Sequence, residues 1–178
     1  MKKLLLVFGY ASILWACSKP VETVPEPVVE AKPMPTEFAD LKYMDIGKQG
    51  ISNLATGNVD GWMDGFADNA VYVWSSGDSI VGKPAISAYW KDRRTNVIDT
   101  ITFTNDVWLP IKVNEPQQSV VARGVWLLGW YQVLTKYKNG KHVGMWIHTD
   151  FHFNENDKID RAIQYIDRAP INAALAKK

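Results

Sequence analysis

Cysteine is almost missing from this chain: Cys17 is the only one among 178 residues. No disulfide can therefore form within the chain, and everything after Cys17 lacks a thiol nucleophile. Basic runs are missing as well. Twenty Lys and Arg stand against 19 Asp and Glu, a formal charge of +1 with both signs scattered, so nucleic-acid binding has no electrostatic support. No stretch resembles a phosphate-binding loop, a nucleotide fingerprint or a nucleophilic triad. The apolar run Leu4 to Ala16 is too short to make a comfortable transmembrane helix. What remains is 47% hydrophobic, ample for one core, with eight tryptophans that are many for this length.

The N-terminus reads as a targeting segment. Lys2-Lys3 supply the positive region, Leu4 to Ala16 the apolar one. Leu14-Trp15-Ala16-Cys17 resembles a bacterial lipobox, although Trp15 replaces the usual small residue. Residues 1–16 are then a lipoprotein signal peptide, and Cys17 is the lipidated residue. The other reading is an ordinary cleaved signal with an incidental cysteine. Residues 17–39 form a tether: Pro20, Pro25, Pro27, Pro33 and Pro35 fix φ and hold the segment extended. The folded domain spans 40–178. The expected location is the bacterial cell envelope, anchored by lipid. Ser18 lacks the aspartate that retains some lipoproteins at the inner membrane, which favours the outer one.

Within the domain, helix signals come first. A loose apolar stripe from Asp40 to Ala55 is interrupted by Gly47 and Gly50. Gly57 stops it, and Asn58 caps a second helix over Val59 to Ala67. Val71 to Trp74 and Ile80-Val81 are short strands. Pro84 opens a third helix with Ile86, Tyr89 and Trp90 inward. Strands follow: Ile98 to Val113, irregular around Pro110; a turn at Asn114 to Gln118; then Ser119 to Tyr137, with Trp126, Leu128 and Trp130 on one face. Asn139-Gly140 marks a tight hairpin. Met145 to Phe153 and Ile159 to Ile166 alternate at period two around the polar turn Asn154 to Lys158. A short helix follows Pro170. The class is α+β, with helices on one side of a curved, mostly antiparallel sheet.

Gly57-Asn58-Val59-Asp60-Gly61-Trp62, Phe66-Ala67-Asp68-Asn69-Ala70-Val71, Gly82-Lys83-Pro84-Ala85-Ile86 and Phe151-His152-Phe153-Asn154 occur in an order that resembles the nuclear transport factor 2-like superfamily, in particular its polyketide-cyclase-like (SnoaL-like) branch. The resemblance covers Asp40 to Ile171. It implies a cone: three N-terminal helices packed in a strongly bent sheet, with an apolar pocket at the open end. The superfamily mixes enzymes with members that only bind or assemble, so the fold does not give the function. Where ketosteroid isomerase-like members carry a general-base carboxylate, this chain has Trp74. Their oxyanion-hole acid falls at Thr149, and their helix-one tyrosine near Gly50. Where epoxide hydrolase-like members carry a last-strand carboxylate, this chain has Gln164. The region matching their middle-strand Arg and Asp holds Arg123 without the Asp.

The strand from Met145 has two faces. Met145, Ile147, Thr149, Phe151 and Phe153 are assigned to the pocket; Trp146, His148, Asp150 and His152 to the convex side, which in this superfamily often meets a second subunit. The competing assignment sends His148 and Asp150 into the cavity as an acid–base pair and the candidate catalytic residues. A metal site is the third: neighbours two apart lie about 6.8 Å apart along a strand, so one pair could chelate but all three could not converge. No metal and no cofactor is expected. The expected lining is Trp62, Phe66, Trp74, Trp90 and Trp126, with Met145, Thr149, Phe151 and Gln164 from the hairpin.

The leading expectation is a membrane-anchored envelope domain that binds a small apolar molecule, with membrane contact through the lipid alone. An isomerase, cyclase or dehydratase using His148 with Asp150, or Thr149 with Gln164, is the alternative. A non-catalytic module that forms a homodimer through the convex sheet face is the third.

Overall fold

The computed structural model describes residues 34–115 and 123–176. The signal segment 1–16, Cys17, the tether up to residue 33, most of the turn after Asn114 and the start of the strand expected from Ser119 lie outside the described residues. The chain orders as β1 (Thr36–Phe38), α1 (Lys42–Thr56), α2 (Val59–Met63), β2 (Phe66–Trp74), β3 (Ser79–Val81) and α3 (Lys83–Asp92). A π-helical turn, Arg93–Val97, leads into β4 (Ile98–Val113), β5 (Gly124–Tyr137), β6 (His142–Phe153), β7 (Ile159–Tyr165) and α4 (Ala169–Leu175). Seven strands make one strongly curved sheet in the order β1-β4-β5-β6-β7-β2-β3. All pairs are antiparallel except β2 with β7. The α+β class expected from the sequence is the one observed.

Local chemistry sets the boundaries. Asp40 accepts the Lys42 N–H at 2.8 Å and starts α1; Gly57, at φ 83°, ends it with its N–H on the Leu54 carbonyl. Asn58 accepts the Gly61 N–H at 2.9 Å and caps α2. That helix is shorter than expected. It ends at Met63 because Phe66 and Ala67 belong to β2, where Phe66 pairs with Ile159 and the Gly65 carbonyl accepts the Ile159 N–H at 2.8 Å. Thr36–Phe38, assigned above to the tether, pairs with Ile111–Val113 as an edge strand, so the fold begins earlier than residue 40.

The irregularity in β4 lies at Asn105-Asp106, where the register slips between Thr104 and Val107 and Asn105 takes φ 53°. Pro110 stays in register with Leu127. Its carbonyl accepts from Ala39. A residue's N and O leave a strand on the same side, so the missing N–H faces the β1 edge and removes no bond to β5.

Gly47 marks a close approach rather than a weak helix. A Cβ there would lie 2.6 Å from Leu127 Cδ2 and 2.9 Å from Trp108 Cζ3. Its absence lets α1 settle on β4 and β5. At the far end, Asp157 takes φ 57° in the β6–β7 turn and accepts from Tyr43 Oη and Lys42 Nζ, both at 2.6 Å. The start of α1 is thereby fastened to the last hairpin.

Candidate functional site

Alternation along the central strands decides which side chains meet. On β5, Leu127, Gly129, Tyr131 and Val133 face the helices; on β6, Met145, Ile147, Thr149, Phe151 and Phe153 do. These side chains and those of α1, α3 and α4 enclose a cavity of about 460 Å³, within the usual range for a small-molecule site. Its buried lining includes Trp62, Tyr72, Trp90, Tyr131 and Gln164, and Trp74, over which Arg168 lies at 5.6 Å from the ring centroid. Its rim carries the exposed Asp45, Gln49, Arg168 and Asn172, with half-buried Arg93 beside them.

The aromatic wall is built edge to face. Trp62 meets Phe66, Trp90 and Tyr72 at ring separations of 5.1, 5.4 and 6.4 Å, and Trp74 meets Tyr89 at 5.3 Å. Such T-shaped pairs add to the burial of the rings and stiffen the wall. Trp90 Nε1 is buried and has no acceptor among the described residues.

Four buried polar side chains form a cluster. Trp74, Gln164, Thr149 and Gly129 stand in register across β2, β7, β6 and β5. Tyr131 Oη and Thr149 Oγ1 are 2.7 Å apart, fully enclosed. Gln164 is the neighbouring amide that favours ionisation of both the Tyr131 and the Tyr72 hydroxyl. Burial pushes the Tyr131 hydroxyl up to about 12, against the pull of its bonds to Thr149 and Gln164. Burial also raises Tyr72 well above its ordinary value, helped by the charges Tyr131 and Tyr89 would carry if ionised and opposed by Gln164. At neutral pH both tyrosines are neutral donors in a low-dielectric pocket.

The cavity side of β6 carries no imidazole and no carboxylate. His148 and Asp150 lie on the opposite, convex face, so their assignment as an acid–base pair inside the cavity is wrong. His148 Nε2 pairs with Asp150 Oδ1 at 2.7 Å, and its Nδ1 lies 3.1 Å from the Gly129 carbonyl. Both ring nitrogens already face protein oxygens. The ring stacks on Trp130 at 4.5 Å. Burial raises the Asp150 carboxyl, and His148 works against that shift. His152 is likewise engaged, at 2.5 Å from Asp160 and 2.9 Å from the Arg123 carbonyl.

Of the residues expected to bind a ligand, Trp62, Trp74, Trp90, Met145, Phe151 and Gln164 lie on the cavity wall. Three other residues sit elsewhere. Trp126 is on the convex face, 4.8 Å from the His152 ring, because it shares the phase of Trp130 and not of Tyr131. Phe66 packs behind Trp62. Thr149 is screened from the open space by Tyr131 but joins the polar cluster. The sequence reading missed Tyr72, Tyr131 and Arg93. The signal for the tyrosines was in the phase: Tyr72 alternates with Trp74, and Tyr131 lies opposite Ile147, already assigned to the pocket. Arg93 had no such signal, since the π-helical turn that presents it has no period of its own.

Comparison with known proteins agrees with this architecture. An LEH-like epoxide hydrolase of M. tuberculosis aligns with a TM-score of 0.52 at 14% identity over 74% of this chain and 86% of that one. A protein from Xanthomonas campestris provisionally designated a polyketide cyclase aligns at 0.59, with 13% identity over 75% and 96%. An NTF2-like protein of unknown function from Burkholderia pseudomallei aligns at 0.60, with 12% identity over 75% and 97%. At such identities these matches establish the fold alone. No functionally curated protein matches the chain. The model of the SnoaL-like domain matches residues 49–162, a span that includes the second half of α1, all of α2 and α3, the aromatic wall and all but Gln164 of the buried polar cluster: the chain belongs to the SnoaL-like family of the nuclear transport factor 2-like superfamily.

Proposed function

We propose that this domain holds a small, largely apolar molecule in the cavity, where Tyr72, Tyr131 and Gln164 can hydrogen-bond an oxygen function that it carries. The observation that carries this reading is the enclosed polar cluster set into an aromatic wall. Apolar area supplies the affinity and a few convergent polar groups fix the orientation. The Trp90 N–H adds a donor that lacks an acceptor among the described residues; an unmade buried bond costs roughly 1–3 kcal/mol, which a ligand oxygen would offset.

The same hydroxyls would suit an isomerase or cyclase as donors to a developing oxyanion. Proton transfer also needs an acceptor. Asp45 is the acid among the described lining residues, and it is exposed, whereas the tyrosines are buried. Binding without turnover is therefore the better-supported reading. The test is tryptophan fluorescence of the purified chain against a panel of ketones, phenols and alcohols, followed by mass spectrometry of the recovered compound. Saturable quenching with the compound unchanged is the expected result; an isomerised, cyclised or dehydrated product would replace binding with catalysis.

We further propose that the domain is held at the cell envelope through lipidated Cys17, on the strength of Lys2-Lys3, the apolar run and the lipobox-like end. Cys17→Ser should move the chain from the membrane fraction to the soluble one and abolish labelling by a fatty-acid analogue. A homodimer through the convex face is supported by Trp146, Leu134 and Tyr165, which leave 55, 54 and 46% of their surface exposed there. Sedimentation of wild type against Trp146→Glu distinguishes dimer from monomer.

A further inference from the structure

The rim of the cavity is not electrically neutral in its wiring. Two arginines line it, Arg93 and Arg168. Arg168 is committed: its Nη1 lies 2.6 Å from Asp78 and 3.3 Å from Ser76 Oγ. The neighbouring Lys91 is also committed, 2.5 Å from Asp60. Arg93 forms no ion pair among the described residues. Its guanidinium lies over the Tyr89 ring, 5.7 Å from the centroid; burial raises the nearby Tyr137 hydroxyl, and Arg93 works against that shift. Tyr89 and Tyr137 both line the cavity.

The backbone holds Arg93 there by an unusual device. Arg93 opens the π-helical turn at the end of α3, and its carbonyl accepts the Ile98 N–H. An inserted π turn displaces the side chains around it from the phase of the preceding α-helix, and such turns concentrate at functional sites. Here it puts a cation stacked on tyrosine, half-buried, on the wall of an apolar cavity that also carries the buried Tyr72, Tyr131 and Gln164. Asp45 is the charge of contrary sign on the lining, and it lies beyond ion-pair distance of Arg93.

We infer that the ligand is an amphipathic carboxylic acid, with its carboxylate on Arg93, its apolar body along Trp62 and Trp90, and any second oxygen at Tyr72, Tyr131 and Gln164. This rests on the binding reading above and narrows it to a chemical class. Guanidinium meets carboxylate through paired N–H donors, and the stacking on Tyr89 keeps that fork oriented.

The experiment uses the full chain with Cys17→Ser and two matched probe pairs, naphthylacetate and phenylbutyrate, each against its methyl ester. Wild type should prefer each acid over its ester by roughly tenfold, the value of one charge-assisted contact. Arg93→Met should abolish that preference, so that each acid binds no better than its ester; Arg93→Lys should keep part of it. Equal affinity for acid and ester in wild type overturns the inference and leaves the binding reading standing. An acid preference that survives Arg93→Met also overturns it. Failure of every probe to bind removes both readings. Should Arg93→Met not fold, phenylglyoxal labelling of wild type gives the same answer: Arg93 is protected by the acid and not by the ester, and equal labelling counts against the proposal.

Discussion

The Tyr131 and Thr149 hydroxyls, 2.7 Å apart and buried between β5 and β6, hydrogen-bond each other. Thr149→Val keeps the shape and removes one partner. Loss of a buried bond of this kind costs about 1–2 kcal/mol. Urea unfolding should show that loss without a change in slope. Because Thr149 pulls the Tyr131 pKa down, the same variant should titrate Tyr131 at higher pH than wild type.

Alkaline stability follows from the two buried tyrosines. An unfolded tyrosine ionises near pH 10, and folded Tyr131 near 12. Its folded pKa is raised, so its contribution is complete below about pH 10 and is lost as pH rises through about 12. Two units correspond to roughly 3 kcal/mol. Denaturant midpoints should be flat from neutrality to about pH 9 with respect to this group and then fall. Tyr131→Phe should reduce the fall, and a wild-type curve flat to pH 12 would refute the assignment.

Gly129 has no room for a side chain. A Cβ there would lie 2.4 Å from Trp108 Cζ3 and 2.8 Å from Cε3, because the indole lies flat across the strand. Gly129→Ala should destabilise by about 1–3 kcal/mol through overpacking. Combining it with Trp108→Phe should recover part of that loss, read as a coupling in a double-mutant cycle.

The convex pair gives a test of the two-faced sheet. Asp150→Asn and His148→Ala should each lower stability, since each strands a half-buried partner. Neither should change affinity at the cavity by more than about twofold, measured by tryptophan fluorescence titration. A loss of binding in either would mean that the pair reaches the ligand.

Much of this was legible in the residues. Period-two alternation placed Met145, Phe151 and Gln164 correctly, and the caps at Gly57 and Asn58 were read as they stand. The errors have physical causes. Trp126 was sent inward because a large aromatic suggests a core, yet phase overrules hydrophobicity once a neighbour such as Tyr131 is fixed. Phe66 was read as helix because its periodicity continues that of Trp62; pairing with Ile159 overrode it. Pro110 looked like the flaw in β4 because a proline lacks a donor, but its bare side faces an edge. The polar cluster escaped notice because its members come from four strands, and no local pattern announces a contact made across a sheet.

The parallel junction of β2 with β7 has a bearing on how the domain comes into being. Phe66 pairs with Ile159 and Trp74 with Gln164, so the earliest long strand completes its ladder only with the last one. Contacts of such sequence separation slow folding, because the chain entropy of closing the loop is lost before the pairing is gained. Gln164, which lines the cavity beside Tyr72 and Tyr131, comes from that last strand. The cavity wall therefore depends on a pairing between segments about ninety residues apart, and a chain ending before Ile159 would lack it.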